Sequence, residues 1–151
     1  MLLLHCDSFN RPVLRSPYIS GDLDQSMRED VVIFFDRAKK FEIASEHFFK
    51  EGIYDLAAFH IGQSLQLYLK YILAKEVGYF PKTHSLSRLF RELSKIDKKF
   101  KEFYEENEIV LKLIEDAHIL ARYFPRDYSD GEVSKMIDAL KRFEEEFREW
   151  L

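Results

Sequence analysis

Residues 53–77 read IYDLAAFHIGQSLQLYLKYILAKEV, with Gly52 before them and Gly78 after them. Glycine at each end delimits one long helical segment. On its wheel Leu65, Leu69, Ile72 and Leu73 share one side, while Leu56, Leu67 and Ala74 lie almost opposite. A helix that is apolar nearly all round belongs in the middle of a bundle or at an interface. Its polar residues His60, Gln63, Gln66 and Lys70 still fall within about a third of a turn of one another at 100° per residue. A narrow polar stripe therefore runs along a helix that is otherwise buried.

The rest of the chain is arranged around this segment. Upstream, Asp24 or Ser26 is positioned to cap a helix reaching Lys50. Its apolar face comprises Met27, Val31, Phe34, Phe35, Ala38, Phe41, Ile43, Ala44, Phe48 and Phe49, at three- and four-residue steps. Downstream, Phe80-Pro81-Lys82 reads as a loop and Thr83 as the cap of a helix to Ile96, with Leu86, Leu89, Phe90, Leu93 and Ile96 inward. Residues 97–107 are charged and read as a short helix or a loop. A further helix covers residues 108–123, with Val110, Leu113, Ile114, Ala117 and Ala121 as its core stripe. Pro125 ends it, and Asp130 caps a last helix to Trp150 whose inner face holds Val133, Met136, Ile137, Leu140, Phe143 and Phe147.

No segment alternates as a strand would. The pattern predicts an all-α fold, an up-and-down bundle of four main helices plus a fifth. The bundle domain is expected over residues 23–151. Pro12, Pro17 and Gly21 make residues 1–22 an extended N-terminal arm.

Composition narrows the function classes. The 151 residues carry 23 basic and 27 acidic side chains, a net charge of −4, which argues against an indiscriminate nucleic-acid coat but permits a local basic site. The 46% hydrophobic content excludes a disordered acidic chain. Cys6 is the lone cysteine, so no internal disulfide forms and a reducing, cytoplasmic setting is expected. No run reaches the roughly 18 apolar residues of a membrane span, so no membrane partner is expected.

Chemistry concentrates on the helix at 108–123. Glu115, His118 and Arg122 project beside its core stripe at i, i+3 and i+7, and the polar line continues as Tyr123, Arg126, Asp127 and Tyr128. Two arginines suit bidentate pairing with a phosphate, and a tyrosine suits stacking on a base. Glu115-Asp116-Ala117-His118 also spells the Glu-x-x-His of di-metal bundles, but the second copy such sites require is missing. No Gly-rich phosphate loop or nucleophile elbow occurs. Neither a metal nor a cofactor is expected. His84, next to Thr83, reads as a loop-orienting residue. Lys98-Lys99-Phe100-Lys101 and the alternating charges of residues 141–149 read as solvated faces.

Three segments, in order, resemble the HEPN family (higher eukaryotes and prokaryotes nucleotide-binding domain). In residues 58–70, Gln63, Leu69 and Lys70 match the Gln-Ala-x-Glu-x-x-Leu-Lys pattern, with Gln66 where the family often has Glu. Lys82-Thr83-His84-Ser85-Leu86 resembles the Thr-His-x-Leu helix start. Ala121-Arg122-Tyr123-Phe124-Pro125 resembles the Ala-Arg-Tyr-Pro end of the fourth helix.

The resemblance implies a five-helix bundle, usually homodimeric, with a functional cleft that includes Arg122. Many members are metal-independent ribonucleases using Arg, four to six residues, then His. Here Asp127, Tyr128 and Ser129 stand where that histidine belongs, and an aspartate is a poor proton donor near neutral pH. The expectation is a non-catalytic nucleotide- or RNA-binding module, with Arg122 and Arg126 on phosphate, Tyr123 or Tyr128 stacking, and Glu115 and His118 orienting the arginine. By resemblance alone, a small nucleotidyltransferase partner in a toxin–antitoxin-type system is implied. The alternatives are a divergent ribonuclease, with His118 or Asp127 replacing the missing histidine, and a structural dimerisation or adaptor domain.

Overall fold

A computed structural model describes residues 21–120, 123 and 126–151, of which 21–28 are described by their backbone only. The arm through residue 20 and, in the candidate site, Arg122 lie outside the described residues. Six helices follow one another: α1 (Gly21–Lys50), α2 (Tyr54–Val77), α3 (Leu86–Ser94), α4 (Lys99–Glu106), α5 (Glu108–Leu120) and α6 (Asp130–Glu146), closed by a 3-10 turn at Arg148–Trp150. No strand occurs among the described residues. The all-α expectation holds.

α1 and α2 form an antiparallel hairpin. Its turn and the end of α2 need left-handed backbone at Gly52 (φ 74°) and Gly78 (φ 75°), which only glycine adopts without steric cost. α2 is the central helix, packing on α1, α3, α5 and α6. It runs parallel to α6: Tyr54 meets Asp130 at 3.3 Å and, 14 residues further along both helices, Tyr68 meets Glu144 at 2.8 Å. Leu65, Leu67, Leu69, Ile72 and Leu73 are all buried, as a helix with no apolar-free side requires.

Boundaries and faces differ from the sequence expectation in specific ways. α1 begins at Gly21, so its first two residues fall inside the expected arm. Ile43 is 67% exposed instead of facing the core. Ser85, not Thr83, caps α3, accepting from the Arg88 N–H; Thr83 accepts instead from the Ser85 N–H at 3.0 Å. Ser129, not Asp130, caps α6, in a capping box with Glu132. The charged segment after Ile96 is helical because Phe100 and Phe103, three residues apart, give it an apolar face. Phe100 stacks on Phe147 at 4.3 Å, and Phe103 meets Phe143 edge-on at 5.7 Å. On α5 the expected Ile114 and Ala117 are buried and Val110 and Leu113 pack half-buried against the core, but Leu111 and His118 are buried as well. His118 therefore faces inward.

Candidate functional site

The polar stripe of α2 divides between neighbouring helices. His60 turns toward α1, its Nδ1 at 2.6 Å from the Leu56 carbonyl and its ring among those of Phe41, Phe48 and Phe59. Gln66 turns toward the start of α3, its Oε1 at 3.1 Å from His84 Nδ1. Lys70 is buried, with its ammonium 5.8 Å from the Phe80 ring centroid. Burial alone pushes its pKa down to about 8.

α5 closes the other side. A Cβ built at Gly62 would lie 2.8 Å from His118 Cβ and 3.2 Å from the Ile114 carbonyl, so glycine lets α2 and α5 approach closely. In that contact His118 stacks on Phe59, with centroids 5.2 Å apart and rings 12° from coplanar. The His84 ring lies 5.2 Å from that of His118. One turn earlier, Glu115 Oε2 accepts the Leu86 N–H at 2.7 Å. Glu115 therefore caps α3 from a different helix. Residues from three helices converge here: Gln66 of α2, His84 leading into α3, and Glu115 and His118 of α5.

Among the sequence-predicted site residues, the structure brings Glu115 and His118 to this junction, at the end of the helix that leads toward Arg122. Tyr123 follows, 73% exposed, its N–H bonded to the Leu120 carbonyl at 3.0 Å. Arg126 is drawn to the start of α6, 2.8 Å from Glu132, with its guanidinium 4.7 Å above the Tyr128 ring. Tyr128 is itself buried and offers little ring face to a base. Of the two tyrosines Tyr123 is thus the exposed one, and Asp127 is exposed beside Arg126.

Sequence reasoning missed Gln66 as a partner of His84, and missed Gly62. A glycine inside an apolar helical run is the signal that points to a close helix approach. The Glu115-x-x-His118 pair does not form a ligand set, since its carboxylate caps α3 and its imidazole stacks on Phe59.

Glu115→Ala is expected to cost about 1 kcal/mol, as loss of a helix-capping acceptor does. The melting temperature should fall by about 2–4 °C. Faster hydrogen exchange at the Leu86 amide would accompany it. An unchanged melting temperature and exchange rate would contradict the capping role.

An all-α bundle built around one central helix, with Gln66, His84 and His118 brought together where α2, α3 and α5 meet, defines the class of helical domain to which the chain belongs. The profile of the HEPN domain matches residues 31–150, most of the chain and all of α2 to α6. This chain belongs to the HEPN domain family. A comparison with curated proteins finds no match. No described helix is long and apolar enough to cross a membrane.

Proposed function

We propose that this chain is a nucleotide- or RNA-binding module working as a homodimer, with its ligand site at the junction of α2, α3 and α5. The observation that supports this reading is the convergence of Gln66, His84 and His118 where α2, α3 and α5 meet, with the exposed Tyr123 five residues after His118 in the chain. His84 is the exposed member of the group, Gln66 and His118 are buried behind it, and Tyr123 offers an exposed ring. Arg122, next in sequence to Tyr123, supplies the phosphate contact in this reading. Arg126 contributes charge at the rim. Asp127 stands where a ribonuclease of this family would carry its histidine, which supports binding over cleavage. A nucleotidyltransferase partner chain remains part of the proposal by family resemblance only.

A second reading, RNA cleavage, draws support from the 5.2 Å approach of His84 to His118, because two adjacent imidazoles are proton-transfer groups. One experiment addresses both. Wild type, Arg122→Ala and Tyr123→Ala are melted with AMP and with a short single-stranded RNA, and the RNA is then run on a gel. A ligand at 100 times its dissociation constant stabilises by about 2.7 kcal/mol. The expected result is a shift in wild type that is lost or reduced in both variants, with intact RNA. Cleaved RNA would favour the second reading, and no shift with any ligand would overturn the first.

A further inference from the structure

The loop that carries His84 begins on an exposed apolar surface. Phe34 of α1 meets Phe80 edge-on at 5.2 Å, and both rings are buried. The residues beside them are not. Ile33 of α1 is 45% exposed, Tyr79 is 40% exposed, and Val77 at the end of α2 is 49% exposed. Three large apolar side chains thus flank one buried contact at the open end of the α1–α2 hairpin. Four residues after Phe80, His84 meets Gln66 at 3.1 Å. An occupant of this surface therefore also braces the loop that holds His84.

Charge narrows the kind of occupant. One turn before Ile33 on α1, Glu29 and Asp30 are exposed and make no ion pair among the described residues. These acids lie on the Gly21 side of Ile33, and Arg37 lies one turn beyond it. A segment that fits is apolar and basic, with its basic residue on the Gly21 side.

The chain carries such a segment, attached at the edge of the surface. Residues 1–20 join α1 at Gly21. From Ser8 to Ser20 they hold Arg11 and Arg15 and no acid, with Phe9, Val13, Leu14, Tyr18 and Ile19 as apolar side chains. Pro12 and Pro17 each favour extended backbone at the residue before them. The lengths agree if residues 19–21 make a turn. Val13 then lies about 19 Å back from residue 19 at 3.1 Å per residue, and Ile33 lies about 18 Å along α1 from Gly21 at 1.5 Å per residue. Arg15 lies about 12 Å back, level with Glu29 at about 12 Å along the helix. Tyr18 falls near the turn, at the end of the hairpin where Val77 and Tyr79 stand. Tethering also gives the segment an effective concentration on the order of millimolar at this surface, an advantage no separate partner has.

We propose that residues 9–19 fold back along α1 of the same chain, cover Ile33, Val77 and Tyr79, and set Arg15 against Glu29 and Asp30. The N-terminal arm is then a strap on the α1–α2 hairpin that braces the His84 loop from behind. This inference does not depend on what binds at the α2–α3–α5 junction.

The test uses the full chain with Cys6→Ser, so that the only thiols are those introduced. One variant carries Val13→Cys and Ile33→Cys. The control carries Val13→Cys and Ile43→Cys, which places the second thiol on an exposed residue of the same helix, about 15 Å further on. Both are oxidised in dilute solution and read by non-reducing gel and by mass of the linked peptides. The 13–33 disulfide should form within one chain at least tenfold faster than the 13–43 disulfide, and Arg15→Glu should slow it at least threefold. Hydrogen exchange is compared between wild type and Val13→Asp/Leu14→Asp, with far-ultraviolet dichroism as the check on folding. Amides of residues 29–34 and 76–84 should exchange faster in the variant, and those of α4 to α6 should not change.

Equal rates for the two cysteine pairs would overturn the docking, as would exchange at residues 29–34 and 76–84 that the arm substitutions leave untouched. A 13–33 disulfide that forms between chains, at a rate rising with protein concentration, would overturn it in favour of a second copy as the occupant. Faster exchange throughout the bundle would show a general loss of stability and also overturn the local contact.

Discussion

Gly62→Leu should destabilise the protein by about 3 kcal/mol, the upper end of the usual cost of overpacking a core. A side chain begins with Cβ, and at residue 62 that atom alone would come within 2.8 Å of His118 Cβ and 3.2 Å of a backbone oxygen of α5. Neither neighbour is the far end of a flexible side chain. α2 and α5 must separate, and the Phe59–His118 stack, the His84–His118 contact and the Glu115 cap on α3 all depend on their spacing. Gly62→Ala meets the same contacts but gains about 1 kcal/mol of helix propensity, so its net effect is smaller. The melting temperature of Gly62→Leu should drop by about 6–12 °C, at 2–4 °C per kcal/mol for a domain of this size. A melting temperature equal to that of wild type would show that the two helices tolerate separation and that the junction is looser than its geometry implies.

Much of the frame around Gly62 is legible in the sequence, although that contact itself is not. The central position of α2 follows from apolar residues around its whole circumference, and the α1–α2 and α2–α3 breaks follow from glycines that adopt left-handed backbone. The width of the inner face of α5 is harder to read. Val110 and Leu113 pack against the core as expected, but Leu111 and His118 join them, and the close approach at Gly62 that puts His118 against α2 has no local signal on α5. Capping by a distant carboxylate is equally hidden, because Glu115 and Leu86 are 29 residues apart and nothing local links them. The α4 segment looks like solvated charge until Phe100 and Phe103 are placed on one face. Within the candidate site, Glu115 and His118 are legible from spacing, Gln66 and His84 from family resemblance, and the pairing of the last two only from the fold. Arg126 and Tyr128 are legible as members of a polar line, but the Arg126–Glu132 ion pair and the burial of Tyr128 are not.

Tyr68→Phe should cost about 2 kcal/mol, in the range for hydrogen bonds to charged groups, and Glu42→Gln should change how stability depends on pH. Tyr68 is fully buried on α2, and its hydroxyl oxygen lies 2.8 Å from Glu42 Oε2 of α1 and 2.8 Å from Glu144 Oε1 of α6. Lys39 reaches both carboxylates, bonding Glu144 and lying 3.4 Å from Glu42. A phenol has one proton to donate, so both 2.8 Å contacts are hydrogen bonds at once when one of the carboxyls carries a proton and donates it back; with both ionised, Lys39 must serve the one the phenol does not. Burial, then the hydrogen bond and charge of Glu144, raise the pKa of Glu42 above its ordinary 4.5. Burial opposes ionisation of Glu144 too, but hydrogen bonds with Lys39, Glu42 and Tyr68 outweigh it and bring Glu144 below 4.5. The Tyr68 phenol is pushed far up, first by burial and then by the two carboxylates, and stays protonated.

The signs follow from linkage. The contribution of Glu42 is complete below 4.5 and is lost as pH rises through its raised pKa. That of Glu144 is present above 4.5 and is lost as pH falls through its lowered pKa. The singly protonated cluster is thus best satisfied near 4.5, and ionising Glu42 above that sets two half-buried negative charges against one lysine. Glutamine at position 42 keeps an N–H donor at every pH and removes one of those charges. In urea unfolding from pH 4.5 to 8, Glu42→Gln should gain on wild type as pH rises and level off once Glu42 is fully ionised. Parallel stability curves would mean that both carboxylates are already ionised at the low end, with Lys39 rather than a shared proton serving this cluster. A gain confined to higher pH means that the shared proton, rather than the ion pair alone, joins the three helices that carry α2 at the centre of the bundle.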